Sequence, residues 1–269
     1  MEDRAGTPER MPEEKVAGLF DLEGKAALIS GGGGALGGAI ARGLALYGAD
    51  VAVADSSATA MVPVTDEIER LGRRSLALVC DVVDEASVEG VVTEVHEAFG
   101  QIDILVTAAG IANRIPTETM PVDEWQRIMD VNVRGTFLCC QKAGIRMIER
   151  GGGKIITIGS VRGFQGNPGG YSGYTTSKGA VHALTKQLAT EWAKYNINVN
   201  SIAPALFQTP LTRQVLEDKA LYDFHMARIP WGRIAVPDDF VGAALFLSSD
   251  ASDFMTGAIL NVDGGWLAS

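Results

Sequence analysis

Short runs of apolar and β-branched residues alternate along the chain with longer stretches of helical character. Seven such runs predict strands: Ala26–Ser30, Val51–Ala54, Ser75–Val79, Ile102–Val106, Lys154–Ile158, Ile197–Ile202 and Ile259–Val262. The runs are apolar almost throughout, which is typical of strands in a parallel sheet that is covered on both faces. The pattern therefore predicts an α/β fold with a doubly wound, mostly parallel seven-stranded sheet.

The stretches between the strands predict helices. One follows the glycines after the first strand and runs through Tyr47. Another is expected to begin near Pro63, because proline is favoured in a first helical turn. Asp84 is placed to cap a helix that runs to Phe99. Further helices are predicted over Val122 to about Arg150, Ser177–Tyr195 and Pro237–Leu247.

Two segments interrupt the alternation, the glycine-rich Gly163–Gly173 and the stretch from Ala205 to Trp231. Loops of that length in a compact domain usually carry function, so 205–231 is predicted to be a lid loop over a site. Residues 1–22 are charged and contain proline, and we expect them to form an arm ahead of one catalytic domain over 23–269.

Composition narrows the classes of protein. The net charge of −10 argues against a nucleic-acid partner, and no apolar run approaches the roughly 18 residues of a membrane span. The first residues lack the hydrophobic segment of a signal peptide. Three cysteines, of which Cys139 and Cys140 are adjacent, indicate no disulfide framework, so we expect a cytoplasmic protein. Three scattered histidines predict no metal site.

The segment Ser30–Gly37 comes directly after the first predicted strand and opens a helix. Gly32, Gly34 and Gly37 satisfy G-x-G-x-x-G, in which backbone N–H groups approach a pyrophosphate at a helix N-terminus. A glycine-rich turn without a ligand is the alternative. The position of this segment between a strand and a helix favours the interpretation that it binds a dinucleotide.

Asp55 ends the second predicted strand. A carboxylate there can accept hydrogen bonds from the adenosine hydroxyls and would repel a 2′-phosphate. No arginine follows at positions 56 or 57. The cofactor predicted is therefore NAD rather than NADP, with a turn-forming aspartate as the alternative.

A second group of residues indicates acid–base chemistry. Tyr174 and Lys178 are four residues apart and share a helix face, which places a positive charge beside a phenol. We expect Lys178 and a positive nicotinamide ring to lower the pKa of Tyr174. Ser160 follows the fifth predicted strand, and Asn132 lies within a helix, where asparagine is a poor helix former. Asn132 could equally be a buried asparagine that bonds the backbone.

In order and spacing these motifs resemble the short-chain dehydrogenase/reductase family over about residues 20–269. The further motif residues that carry the resemblance are Asp81-Val82, Thr107–Gly110, Pro204–Thr209 and Asp263–Gly265. The sequence departs from the family pattern at Ser30, Ala35, Thr107, Ala108 and Ala205, which puts cofactor affinity and loop geometry in question. The four catalytic residue types are intact.

The resemblance implies a single-domain Rossmann-type oxidoreductase with a defined set of roles. Tyr174 would be the acid/base, Ser160 would bond the reacting oxygen, and Lys178 would bond the nicotinamide ribose. Asn132 would position a water, and Thr209 would hold the carboxamide. A homo-oligomer, tetramer or dimer, is implied through helices 122–150 and 174–195. The cofactor residues implied are Gly31, Gly33, Gly34, Leu36, Gly37, Asp55, Asp81, Val82, Ala109, Tyr174, Lys178, Phe207 and Thr209.

The substrate is predicted from three arginines near the expected site, Arg114, Arg162 and Arg213. Guanidinium groups pair bidentately with carboxylates, so they favour an anionic small molecule, although each could be an ordinary surface arginine. Hydroxyl-matching groups nearby are Gln165, Asn167, Tyr171 and Gln208.

The segment 110–116 resembles family members that act on gluconate and deoxygluconate, which favours a sugar acid or polyol. Two alternatives stay open. Phe207, Phe224, Met226 and Trp231 would suit a 3-oxoacyl or other hydrophobic carbonyl compound. A non-catalytic NAD-binding protein with the same fold is the third reading.

Overall fold

A computed structural model of the chain describes residues 11–166 and 168–269. Seven strands, all parallel, form a sheet in the order β3-β2-β1-β4-β5-β6-β7. The predicted α/β class and its seven strands are confirmed, with ends that differ by at most two residues. The strands are β1 Ala26–Ser30, β2 Asp50–Asp55, β3 Ser75–Val79, β4 Ile104–Thr107, β5 Gly153–Ile158, β6 Ile197–Pro204 and β7 Ile259–Val262.

The helices of the described residues follow the predicted alternation. Their bounds are α1 Glu13–Ala17, α2 Ala35–Leu46, α3 Ala58–Arg70, α4 Glu85–Phe99, α5 Val122–Met129, α6 Gly135–Arg150, α7 Ser172–Trp192, α8 Arg213–Glu217, α9 Lys219–Met226 and α10 Val241–Ser248. The predicted cap on α4 is present, because the Asp84 side chain accepts the N–H of Ala86. No helix among these is long and apolar enough to cross a membrane.

The core lies on both faces of the sheet because successive strand side chains point to opposite faces. On one face, Ile29 of β1 belongs to a buried cluster with residues of α2, α3 and α10. On the other, the neighbouring Leu28 belongs to a cluster with residues of α4, α6 and α7. Helices therefore cover both faces, as predicted.

The strand order places a cleft at the carboxyl edge of the sheet. β1 pairs with β2 on one side and with β4 on the other. The chain therefore leaves β1 and β4 in opposite directions, and the resulting crevice is where open α/β sheets bind ligands.

Two predicted helix starts were wrong, and the predicted lid segment is partly helical. α3 begins at Ala58, so Pro63 lies inside the helix and not in its first turn. The turn after β2, in which Asp55 accepts the N–H of Ser57, starts the helix earlier. α7 begins at Ser172 instead of Ser177, and the segment 205–231 contains α8 and α9 instead of being a plain loop.

The predicted arm is described only from residue 11. All five residues of α1 are exposed, whereas Leu22 at the end of the arm is buried in the core beside α2. Residues 1–10 lie outside the described residues. The boundary between arm and domain stays a prediction.

Candidate active site

The turn between β1 and α2 packs directly against the backbone that follows β4. Gly31 has φ +70°, and a Cβ there would overlap the backbone of Ala109. A Cβ on Gly37 would overlap the carbonyl of Gly31. Side chains are therefore excluded at these two positions, and backbone N–H groups at the start of α2 stay open to an anion.

Asp55 stands at the edge of this turn. One carboxylate oxygen accepts the N–H of Gly33 at 3.1 Å, and the other accepts the N–H of Ser57 at 3.1 Å. These bonds hold an acidic group at the mouth of a cleft. Among the predicted cofactor residues, those that border the cleft are Gly31, Gly34, Asp55, Asp81, Val82 and Ala109. An acidic group beside a glycine turn and a helix N-terminus fits a dinucleotide.

The remaining cofactor residues of the prediction lie elsewhere. Gly33 borders the adjoining groove along α2 and α3, and Leu36 packs partly into the core. The ring of Phe207 packs edge-on against Phe240 at 5.4 Å between centroids. The hydroxyl of Thr209 lies 3.2 Å from that of Thr212. The structure does not bring Phe207 and Thr209 into the lining of the cleft.

Lys178 is held at the carboxyl end of β5. Its Nζ is buried and donates a hydrogen bond to the carbonyl of Ile158 at 2.7 Å. The same atom lies 5.7 Å from the centroid of the Tyr174 ring, as expected for neighbouring turns of α7. Burial lowers the pKa of Lys178 to about 8, so the amine can release a proton near neutral pH.

The pKa of Tyr174 differs from the expectation. Burial raises the pKa of the phenol, and a hydrogen bond with Ser160 and the charge of Arg162 oppose that rise. The expected lowering by Lys178 is not found, because desolvation outweighs the nearby charges. The protein chain alone therefore keeps Tyr174 protonated at neutral pH.

Ser160 lies two residues beyond the end of β5 and faces Tyr174. Its Oγ accepts the N–H of Arg162 at 3.2 Å and lies 3.5 Å from the carbonyl of Pro204. The hydroxyl is thus shared between the turn after β5 and the end of β6. Strand ends position this group, as the sequence predicts.

Asn132 lies in a π-helical turn, Asp130–Arg134, between α5 and α6. Its Oδ1 accepts the N–H of Ile111 at 2.8 Å, and its Nδ2 donates to the carbonyl of Ile111 and to Ser177 Oγ, both at 2.9 Å. A Cβ on Gly110 would lie 3.4 Å from Asn132 Oδ1 and 3.7 Å from Lys178 Nζ. Both interpretations of Asn132 are therefore compatible with the structure: it bonds the backbone, and it lies beside the lysine.

A cavity opens next to Ser160 and Tyr174, with its outer wall formed by the segment that contains α8 and α9. Three of the residues that were predicted to contact the substrate, Arg114, Arg162 and Tyr171, line it. The guanidinium carbons of Arg162 and Arg114 lie 3.9 Å and 5.6 Å from the centroid of the Tyr171 ring. Among the described residues, no carboxylate lines this cavity.

The sequence interpretation missed His225 and Trp266, which also line the cavity. Their rings lie 5.4 Å apart between centroids. Burial and the charges of Arg162, Arg114 and Arg228 lower the pKa of His225 to about 4, so its imidazole is neutral. The histidines were weighed only for metal-ligand spacing, and no spacing rule points to a lone histidine on a lid helix.

Arg213 was wrongly grouped with the substrate arginines. Its side chain is largely exposed, lies 3.9 Å from Glu217 on the surface of α8, and does not line the cavity. Trp231 is likewise exposed, and Gln165 and Gln208 are exposed. Asn167 lies outside the described residues.

Comparison with known proteins now decides the family. The family model described as "Enoyl-(Acyl carrier protein) reductase" matches residues 33–267. A short-chain type dehydrogenase/reductase of Mycobacterium marinum superposes with a TM-score of 0.89 at 40% identity, over 94% of this chain and 100% of that one. The chain belongs to the short-chain dehydrogenase/reductase family. The predicted family and oxidoreductase class are confirmed.

Two other members of the short-chain dehydrogenase/reductase family carry more specific names. The 2-dehydro-3-deoxy-D-gluconate 5-dehydrogenase of Pseudoalteromonas atlantica is 41% identical over 92% of this chain and 98% of its own length. The structure of a gluconate 5-dehydrogenase from Burkholderia cenocepacia, in complex with NADP and tartrate, is 38% identical with a TM-score of 0.90. That match covers 94% of this chain and 99% of the other.

The phenol of Tyr174 is the group that the site geometry singles out for a test. Tyr174→Phe keeps the ring and removes the hydroxyl, so we expect kcat to fall at least about 100-fold because acid–base catalysis is lost. The dissociation constant of the reduced nicotinamide cofactor, measured by fluorescence titration, should stay within about twofold of its value for the unmodified protein. Tyr195→Phe, three residues past the end of α7, is the matched control. Retained turnover in Tyr174→Phe would remove Tyr174 from the reaction.

Proposed function

We propose that the protein is an NAD-dependent dehydrogenase that interconverts a secondary alcohol and a ketone on a sugar acid. The proposal rests on one cavity, which is lined both by hydroxyl groups suited to acid–base chemistry and by arginines suited to an anion. Ser160 and Tyr174 border it, and Arg114 and Arg162 line it without a carboxylate among the described lining residues.

The electrostatics of the cavity favour an acidic substrate. The protein has a net charge of −10, yet two guanidinium groups meet here. Arg114 Nε is buried and has no hydrogen-bond partner among the described residues. An unpaired buried donor is costly, and a bidentate carboxylate is the partner that a guanidinium matches best. The names of the gluconate and deoxygluconate dehydrogenases at about 40% identity support the same substrate class.

The cavity also offers neutral hydrogen-bonding groups to the rest of such a substrate. The neutral imidazole of His225 and the side chains of Asn113 and Gln214 line it together with the arginines. A neutral imidazole can both donate and accept a hydrogen bond. A carboxylate at one end and several hydroxyls along the chain are the chemistry of a sugar acid.

The positions of the site residues support the role that we propose for each. In oxidation, Tyr174 takes the hydroxyl proton of the substrate, and Ser160 donates a hydrogen bond to the same oxygen. Lys178 lies on the same helix face and can pass on the proton, because its pKa is near 8. Asn132 secures the backbone at Ile111 beside that lysine. A bound nicotinamide cofactor would supply the hydride acceptor, and the positive charge of its oxidised ring would lower the pKa of Tyr174.

NAD is the cofactor that the cleft favours. Asp55 and Asp81 both border it, and no lysine or arginine does so among the described residues. In the neighbouring groove Arg42 pairs with Glu67 at 3.0 Å. A 2′-phosphate would meet the Asp55 carboxylate without a cation to offset the repulsion. The gluconate 5-dehydrogenase of Burkholderia cenocepacia was solved with NADP, so this chain would differ from that relative.

A reductase of hydrophobic carbonyl compounds is the second candidate. Leu211, Val215 and Trp266 give the cavity one apolar wall, which would accommodate an acyl chain. Arg114 counts against it, because an apolar substrate would leave its buried Nε–H without a hydrogen-bond partner among the described residues.

We also propose a homo-oligomer and a cytoplasmic location. Phe137 and Ile145 on α6 are exposed apolar side chains on one of the helices through which we expect subunits to pair. Cys80, Cys139 and Cys140 are all buried free thiols, which fits a reducing compartment.

The cofactor proposal is tested by removing one charge. Asp55→Asn keeps an oxygen acceptor for the turn but abolishes the repulsion of a 2′-phosphate. We expect the preference for NAD over NADP, taken as the ratio of kcat/KM values, to narrow at least about tenfold. Asp123→Asn, an exposed carboxylate in α5, is the matched control. An unchanged ratio would show that Asp55 does not select the cofactor.

The substrate proposal is tested at Arg114. Arg114→Ala should raise KM for D-gluconate about 10- to 100-fold, because a charge-assisted bidentate bond is lost. KM for the neutral polyol D-sorbitol should change little. Arg213→Ala, an exposed arginine in α8, is the control. Equal effects of Arg114→Ala on both substrates would contradict a carboxylate contact.

A further inference from the structure

His182 continues the line of functional residues on α7. Tyr174, Lys178 and His182 follow one another at intervals of four residues, so they share one face of the helix. The side chain of His182 is only 6% exposed. It lies behind Ser160, on the side away from the substrate cavity, whose lining does not include it.

A hydrogen bond joins His182 to the backbone of Ser160. The N–H of Gly159, directly after β5, still donates to the carbonyl of Ile202 in β6 at 2.8 Å. The next N–H, that of Ser160, is buried and donates to Nε2 of His182 at 3.4 Å. The imidazole therefore accepts the first backbone N–H beyond the hydrogen bonds of the sheet. Leaving this buried donor unpaired would be costly.

The glycines on both sides of Ser160 leave space for this ring. A Cβ on Gly159 would overlap Nε2 of His182, and a Cβ on Gly163 would come within 2.6 Å of Nδ1. Phe164 covers the ring from outside, with 4.6 Å between centroids. The turn that carries Ser160 is thus wrapped around the imidazole.

The bond requires a neutral imidazole with its proton on Nδ1, because Nε2 must offer a lone pair. Burial and the charges of Lys178 and Lys186 lower the pKa of His182 to about 4. The ring is therefore uncharged throughout the range in which the enzyme would work. Geometry and protonation state agree.

We infer that His182 is a positioning residue that fixes Ser160 against the face of α7 that carries Tyr174 and Lys178. Its imidazole acts through the backbone of Ser160 and touches no reacting atom. The inference rests on the proposed function, because the role of Ser160 belongs to that proposal. It adds that the histidine places the serine hydroxyl opposite the tyrosine.

The first test needs no turnover. In protein labelled with ¹⁵N-histidine, the three histidines are resolved by NMR, and His182→Gln assigns the signal of His182. We expect His182 to be a neutral Nδ1–H tautomer whose Nε2 accepts a hydrogen bond at pH 7. An Nε2–H tautomer or a protonated ring would overturn the inference even if the enzyme acts on none of the proposed substrates.

The second test separates positioning from packing. His182→Gln can keep an oxygen acceptor near Nε2, whereas His182→Leu fills similar space without one. We expect kcat to fall about tenfold in His182→Leu and less than about threefold in His182→Gln, with NADH binding unchanged in both. Thermal unfolding checks the fold of each variant, and His182→Met replaces the leucine variant if that one does not fold. An equal loss in the glutamine and leucine variants would overturn the inference.

A double-mutant cycle shows through which residue His182 acts. In a Ser160→Ala background, His182→Leu should lower kcat no further, because the hydroxyl that it positions is gone. A further tenfold loss would mean that His182 supports the fold in general, and the inference would fall while the role of Ser160 stood. If Ser160→Ala alone leaves kcat unchanged, the proposed role of Ser160 falls, and the inference falls with it.

Discussion

One hydrogen bond joins the two halves of the candidate site: Lys178 Nζ donates to the carbonyl of Ile158 at 2.7 Å. The carbonyl belongs to the end of β5, and the lysine belongs to α7. Because the ammonium group is buried, it cannot exchange this partner for water without moving the helix. The bond therefore sets the distance from α7, with its tyrosine, to the strand end that leads into Ser160.

Other contacts reinforce the same junction. Asn132 bonds Ser177 on α7 and Ile111 after β4, so a third segment is tied to the helix. His182 ties the backbone of Ser160 to the next turn of α7. The acid–base groups are thus fixed from the sheet edge and from the helix together. The outer wall of the cavity, by contrast, includes residues of the short helices α8 and α9.

The charges that line the site do not simply follow the net charge of the chain. The chain carries ten more acidic than basic groups, yet the substrate cavity presents arginines and the cofactor cleft presents carboxylates. The segment after β4 borders both regions, because Ile111 lines the cleft and Ala112 lines the cavity. The arginines of the cavity would attract an anionic substrate. The carboxylates of the cleft would repel the 2′-phosphate that NADP carries and NAD lacks.

Much of this arrangement could be predicted from local patterns. The apolar runs predicted the strands, because a strand that is buried on both faces carries apolar side chains on both. The four-residue spacing predicted that Tyr174 and Lys178 share one helix face. The sequence could not separate Arg162 from Arg213, because only the folded chain shows that Arg162 stacks on Tyr171 in the cavity and that Arg213 lies beside Glu217 on the surface. The predicted start of α3 was wrong. The turn after Asp55 begins the helix before Pro63, although proline is favoured in a first helical turn. The pKa of Tyr174 depends on desolvation, and the bond of His182 joins residues 22 positions apart, so neither has a local signature.

The central claim is that the cavity binds an acidic substrate and that the acid–base residues beside it act on that same substrate. The most direct measurement is the rate of NADH formation, followed by absorbance, when the protein is given NAD⁺ and either D-gluconate, its deoxy analogues or D-sorbitol. The account predicts turnover of at least one sugar acid, with kcat/KM at least about tenfold above that for the neutral polyol. Turnover of neutral or apolar alcohols in preference to every acid would contradict it.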